Sequence, residues 1–71
     1  MAEREVAARG DISRDEIDHH GEGFEKAFNK ALKELDGQRY AGQTLEVQAF
    51  VTITPNPGGV GQYTVSLVPT G

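Results

Sequence analysis

The chain contains no cysteine and no tryptophan. Without cysteine it can form neither a disulfide nor a thiolate metal site, and the lack fits a reducing compartment, where disulfides are rare. No apolar run approaches the ~20 residues of a membrane span. The first residues, Met1-Ala2-Glu3-Arg4-Glu5, lack the hydrophobic stretch of a signal peptide. A cytoplasmic protein with no membrane partner is the expectation. Basic charge is also scarce: seven Lys and Arg stand against eleven Asp and Glu, a net charge of −4. The basic residues are scattered among acids, as in Phe24-Glu25-Lys26-Ala27-Phe28-Asn29-Lys30. A phosphate-binding surface needs clustered Lys and Arg, so nucleic acid is not an expected partner.

Seventy-one residues bound the chain to one domain, 1–71. A chain of this size buries only ~60% of the surface its unfolded form exposes. Its small core needs help from a disulfide, a metal or a partner subunit. With disulfides excluded, a homo-oligomer is the expected answer.

What is present falls into three textures. Residues 1–23 are charged and contain three glycines, residues 24–36 are helical, and residues 43–68 are β-like. In the middle segment Phe24, Ala27, Phe28, Ala31, Leu32 and Leu35 recur at i, i+3, i+4, i+7, i+8 and i+11, one face of a helix. Gly37 stands where a left-handed glycine would end that helix. From Thr44 to Thr54, Leu45, Val47, Ala49, Val51 and Ile53 alternate with Thr44, Glu46, Gln48, Phe50, Thr52 and Thr54, the pattern of a strand. Pro55 lacks an N–H and stops the ladder. Asn56-Pro57-Gly58-Gly59 makes a turn, and a second strand follows with Tyr63, Val65 and Leu67 on its inner face. Strand, turn and strand read as a hairpin. A two-stranded ribbon is marginal alone. Arg4-Glu5-Val6-Ala7-Ala8-Arg9 is the candidate third strand, with Val6 and Ala8 inward, although its Ala, Glu and Arg also favour helix. Ser13-Arg14-Asp15-Glu16 is a capping box and predicts a helix start at Arg14. Gly21 and Gly23 then interrupt, giving either a short helical turn before the main helix or one helix with a weak joint; each glycine costs ~1 kcal/mol inside a helix, which favours the break.

Phe50 interrupts the polar side of the long strand. A sheet with its helix on one side leaves the other to water or to another subunit. Phe50, with Val68 on the facing strand, is therefore the expected subunit interface.

Little in the chain suggests catalysis. His19-His20, flanked by Asp18 and Glu22, are the only candidate metal ligands, since His and carboxylate suit divalent ions. Adjacent helical residues point about 100° apart, so the pair cannot face one ion unaided. Asp15 with His19, or Asp18 with Glu22, would have the i, i+4 spacing. A solvated polar helix end explains the same residues. Ser13 and Ser66 lie in no nucleophile elbow. Gly58-Gly59-Val60-Gly61 joins two strands and opens no helix, so it is hairpin chemistry rather than a phosphate loop. The expectation is a protein that is not an enzyme.

Two stretches carry a family resemblance. Gly23-Phe24-Glu25-Lys26-Ala27-Phe28-Asn29-Lys30-Ala31-Leu32 resembles the helix of the dodecins, and Leu45-Glu46-Val47 resembles the start of their second strand. Dodecins are small β-α-β-β proteins that assemble into hollow dodecamers. The resemblance spans residues 3–68 in element order and about a dozen positions in sequence. Flavin-binding dodecins stack the ring on a Trp where this chain has Thr44, and their Gly-Thr-Ser step is replaced here by the longer segment 10–23. The resemblance therefore implies the assembly rather than the flavin site, with Tyr40 or Phe50 as the available aromatic platforms and the cofactor unspecified. The expected fold is α+β: one amphipathic helix on a small antiparallel sheet in β-α-β-β order. The expected role is a non-catalytic oligomer that stores or sequesters a small ligand or ion, or acts as a scaffold. The alternative is a protein–protein interaction module that pairs its sheet edge with a larger partner.

Overall fold

The computed structural model describes residues 5–55 and 59–70. The chain runs β1 (Ala8–Ser13), a 3-10 turn (Arg14–Glu16), α1 (Gly21–Glu34), β2 (Leu45–Thr54) and β3 (Gly59–Pro69). The three strands form one antiparallel sheet in the order β1-β3-β2, and α1 packs against β1 and β3. The fold is α+β with β-α-β-β order. Part of the expected Asn56–Gly59 turn, and Arg4 of the expected first strand, lie outside the described residues.

β3 takes the centre because its inner residues are its largest apolar ones. Tyr63, Val65 and Leu67 are buried. On one side they oppose Ile12, Gly10 and Ala8, and on the other Val51, Ala49 and Val47. Directly opposed residues share a face of an antiparallel pair, so all nine line the helix side of the sheet. The core is Ala8, Ile12, Ile17, Ala27, Ala31, Tyr63, Val65 and Leu67.

The helix rests on the sheet through small residues. Ala27 and Ala31 are both 0% exposed, and Gly23 is buried with them. Their seat on β1 is Gly10. A Cβ there would lie 2.1 Å from the Ala27 carbonyl oxygen and 2.7 Å from the Ala31 nitrogen. Gly23 likewise sits against the Tyr63 ring, where a Cβ would come within 2.5 Å of two ring carbons. This corrects the packing expected from sequence. The helical periodicity puts Phe24, Phe28 and Leu32 on the apolar face expected to pack on the sheet, yet all three are exposed. The buried stripe is the one made of glycine and alanine.

The same contacts explain other departures. Gly23 does not break the helix, because its missing side chain is what lets α1 meet Tyr63; close packing offsets the propensity cost. Strand β1 begins at Ala8, with Val6 exposed before it. The strand runs past the expected Arg9 to Ser13, and Gly10 within it is needed under the helix. The capping box forms as expected: the Asp15 N–H donates to Ser13 Oγ at 3.4 Å, and the Ser13 N–H donates to Glu16 Oε2 at 2.8 Å. It heads only one 3-10 turn, because Ile17 leaves helical geometry and enters the core. Gly37 is not left-handed; among described residues only Gly42 and Gly59 have positive φ. After α1 ends at Glu34, Asp36 Oδ1 instead accepts the N–H groups of Gln38 and Arg39 at 3.0 and 3.1 Å and turns the chain.

Gly10→Ala should therefore destabilise the fold by about 1–3 kcal/mol through overpacking. Gly37→Ala, whose Cβ meets nothing within 4 Å, should stay within about 0.5 kcal/mol of the parent. Urea midpoints at a common slope measure both.

Candidate functional site

The seating of α1 over β1 and β3 leaves the inner face of β2 uncovered. Val47, Val51 and Ile53 belong to the helix side of the sheet, yet they are 55%, 44% and 62% exposed. The helix turns its aromatic stripe toward them. Each of Phe24, Phe28 and Leu32 follows a residue of the buried stripe, Gly23, Ala27 and Ala31, and so projects about 100° to one side of it. Lys26 and Lys30 precede Ala27 and Ala31 and project to the other side. There Lys26 Nζ donates to the Glu16 carbonyl at 3.0 Å and Lys30 Nζ to the Asp11 carbonyl at 3.1 Å. The lysines thus tie the helix to the β1 side, and the aromatic stripe faces β2. The result is a trough with a wall of Phe24, Phe28 and Leu32 and a floor of Val47, Val51 and Ile53.

One end of the trough is braced by an aromatic cluster. Phe24 meets Tyr63 edge-on, with ring centroids 5.1 Å apart. The Tyr63 hydroxyl hydrogen-bonds His20 Nδ1. Tyr63 is itself buried, so this pair joins the start of the helix to the central strand.

The region around the trough is unusual in charge. All eighteen Asp, Glu, Lys and Arg residues fall within 1–46, and residues 47–71 carry none. Among the described residues strand β2 is also an outer strand of the sheet. Native edges are ordinarily blunted by charge, proline or a short strand. From Val47 to Thr54 this one has neither charge nor proline.

The other sequence-predicted positions are placed apart. His19 Nε2 lies 3.2 Å from Glu22 Oε1, while His20 turns to Tyr63. The two rings are thus committed to different partners. Among the described residues no group of three His, Asp or Glu side chains is arranged to hold a metal ion. Glu22 also accepts the Asp18 N–H, which holds its carboxyl below the usual range, helped by His19 and Lys26. Phe50 is exposed on the outer face of β2, opposite Thr64. Val68 lies four positions further along β3, opposite Glu46, and is only 2% exposed. The two do not form one patch. Phe50 instead borders a shallow hollow of about 280 Å³ with Arg9, Thr52, Thr64 and Ser66. Tyr40 is buried and its hydroxyl donates to Glu5 Oε1 at 2.7 Å, so its ring is not a free platform; the Glu5 carboxylate raises its pKa.

On the outer face one polar contact crosses from β1 to β3. Thr64 Oγ1 donates to Asp11 Oδ1 at 2.6 Å, and Arg9 Nε and Nη2 reach the same oxygen at 3.3 Å. The Thr64 hydroxyl, then Arg9, holds the Asp11 carboxyl below its ordinary value.

Among the described residues no helix is long and apolar enough to cross a membrane. Comparison with known proteins finds no match to a family model, to a curated protein or to a solved structure.

The depressed Asp11 value fixes a pH dependence. Its folded pKa lies below the ~3.9 of an unfolded aspartate, so it stabilises the fold at neutral pH. That contribution fades as the pH falls through the unfolded and then the folded value. Thr64→Val removes the largest cause, so the Asp11 carboxyl should titrate at a higher pH than in the parent. Carbon-detected NMR titration of the side chain measures the shift.

Proposed function

We propose that this chain is the subunit of a non-catalytic homo-oligomer, dodecin-like in architecture, which stores or sequesters a small ligand or ion between copies or serves as a scaffold. The observation that carries the reading is the trough: six large apolar side chains left exposed together in a 71-residue chain. Taking roughly 150–200 Å² for each whole side chain, their exposed parts sum to about 500 Å². That is near the top of the range for the largest patch on a monomer, and such patches mark contact sites. A standard interface buries about 800 Å² per partner, and homodimer interfaces are about 65% apolar, which also asks for roughly 500 Å². The element order shared with the dodecins supports the architecture. A chain of 71 residues has little room to enclose a ligand by itself, which supports placing any ligand between copies.

The outer, uncharged edge of β2 favours a second reading, an interaction module that accepts a strand from a larger partner. The two readings differ in how the isolated chain behaves. A subunit of a homo-oligomer should be soluble and heat-resistant by itself, at a multiple of the monomer mass. A module awaiting its partner should be monomeric or aggregate.

Light scattering on the purified chain should thus give at least twice the 7.7 kDa of one copy. Val51→Lys places a charge on the trough floor of every copy, and like charges brought together cost several kcal/mol. It should shift the species to monomer. A folded monomer of the parent chain at micromolar concentration would defeat the proposal.

A further inference from the structure

We infer that the second copy docks along β2, the two β2 strands pairing antiparallel about a two-fold axis so that the sheets join and the two troughs merge. The inference rests on the homo-oligomer reading and specifies which surface makes it.

Three observations converge on this edge. First, β2 is the outer strand, so among the described residues the exposed floor of Val47, Val51 and Ile53 runs to the edge of the sheet. A partner that covers the floor must come from that side. Second, the edge carries neither charge nor proline from Val47 to Thr54, and its ladder is regular up to the register shift between Thr52 and Ile53. The opposite edge differs: β1 has six residues, carries Arg9 and Asp11, and its Asp11 carbonyl accepts from Lys30 Nζ. Third, charge decides who can approach. All of the charged side chains behind the net charge of −4 lie within residues 1–46, and residues 47–71 are free of charge. β2 is the long outer edge along which two copies meet without like charges opposed. A partner must bring both an apolar face and an open strand edge, and this chain presents the two side by side. Antiparallel pairing of identical strands is isologous, so it closes on itself. The aromatic stripes of the two helices would then face each other across a shared floor of Val47, Ala49 and Val51 from each copy.

The absence of cysteine makes the test direct, since one introduced thiol per chain is the only one present. Single variants Val47→Cys, Gln48→Cys, Ala49→Cys, Phe50→Cys, Val51→Cys and, as a contrast, Phe28→Cys are oxidised under mild conditions, and the native mass of each is measured under reduction. In a two-fold antiparallel pair only the residue at the axis opposes its own copy, at a Cα separation of about 4.5–5.5 Å that a disulfide can span. Cross-linking should peak at one β2 position and fall away within about two residues on either side. An oligomer by mass that cross-links at Phe28 and at no β2 position would overturn the docking geometry and leave the oligomer standing. A parent chain that is monomeric by mass would remove both. Five variants along one strand guard against the loss of any single one to misfolding.

Discussion

The contact between Gly10 and the backbone of Ala27 and Ala31 decides where everything else goes. A helix usually stands about 10 Å from a sheet on a layer of large side chains. Here it descends onto a glycine, with a second glycine, Gly23, lying against the face of Tyr63. Close approach of this kind fixes position more tightly than a layer of leucines would, because there is no side chain to repack. It also confines the helix to the seam between β1 and β3. A helix held over two strands of three cannot cover the third, and the bare face of β2 follows from the glycine seat.

That constraint accounts for an arrangement that looks inverted. The largest apolar side chains of α1 face outward, and the smallest residues are buried. In a self-sufficient domain this would waste the hydrophobic effect, since aromatic burial carries much of the stability of a small core. It makes sense when the helix has two apolar surfaces with separate roles, one for its own sheet and one for contact. The lysines on the far side of the helix reinforce the division by reaching back to the carbonyls of Glu16 and Asp11.

Much of the fold was legible in the sequence. The helix, the hairpin, the inner face of β3 and the capping box at Ser13 all followed from periodicity and local chemistry, which depend on neighbouring residues. What was not legible depended on contacts between distant ones. Periodicity gave the helix a single apolar face from Phe24 to Leu35, but it could not say which part of that wide face meets the sheet. The answer lies in Gly10, whose missing side chain matters only once Ala27 stands over it. For the same reason Gly23 reads as a breaker in the sequence, when it is a point of close approach. Histidines 19 and 20 stand side by side in sequence and part in space, because Tyr63 draws one ring toward the core. The trough had a signal that was readable in principle: charge ceases after Glu46. Its meaning needed the topology that puts β2 at an edge.

The register slip between Thr52 and Ile53, where Gly61 is the extra residue on β3, carries a consequence for growth. A bulge bends its strand and raises the local twist, so the straight, ladder-competent part of β2 stops short of its C-terminal end. The far edge of the sheet carries Arg9 and Asp11. On the proposed docking, a pair joined along β2 therefore presents no second uncharged rim in the plane of the sheet, and strand addition ends there instead of running on into a fibre.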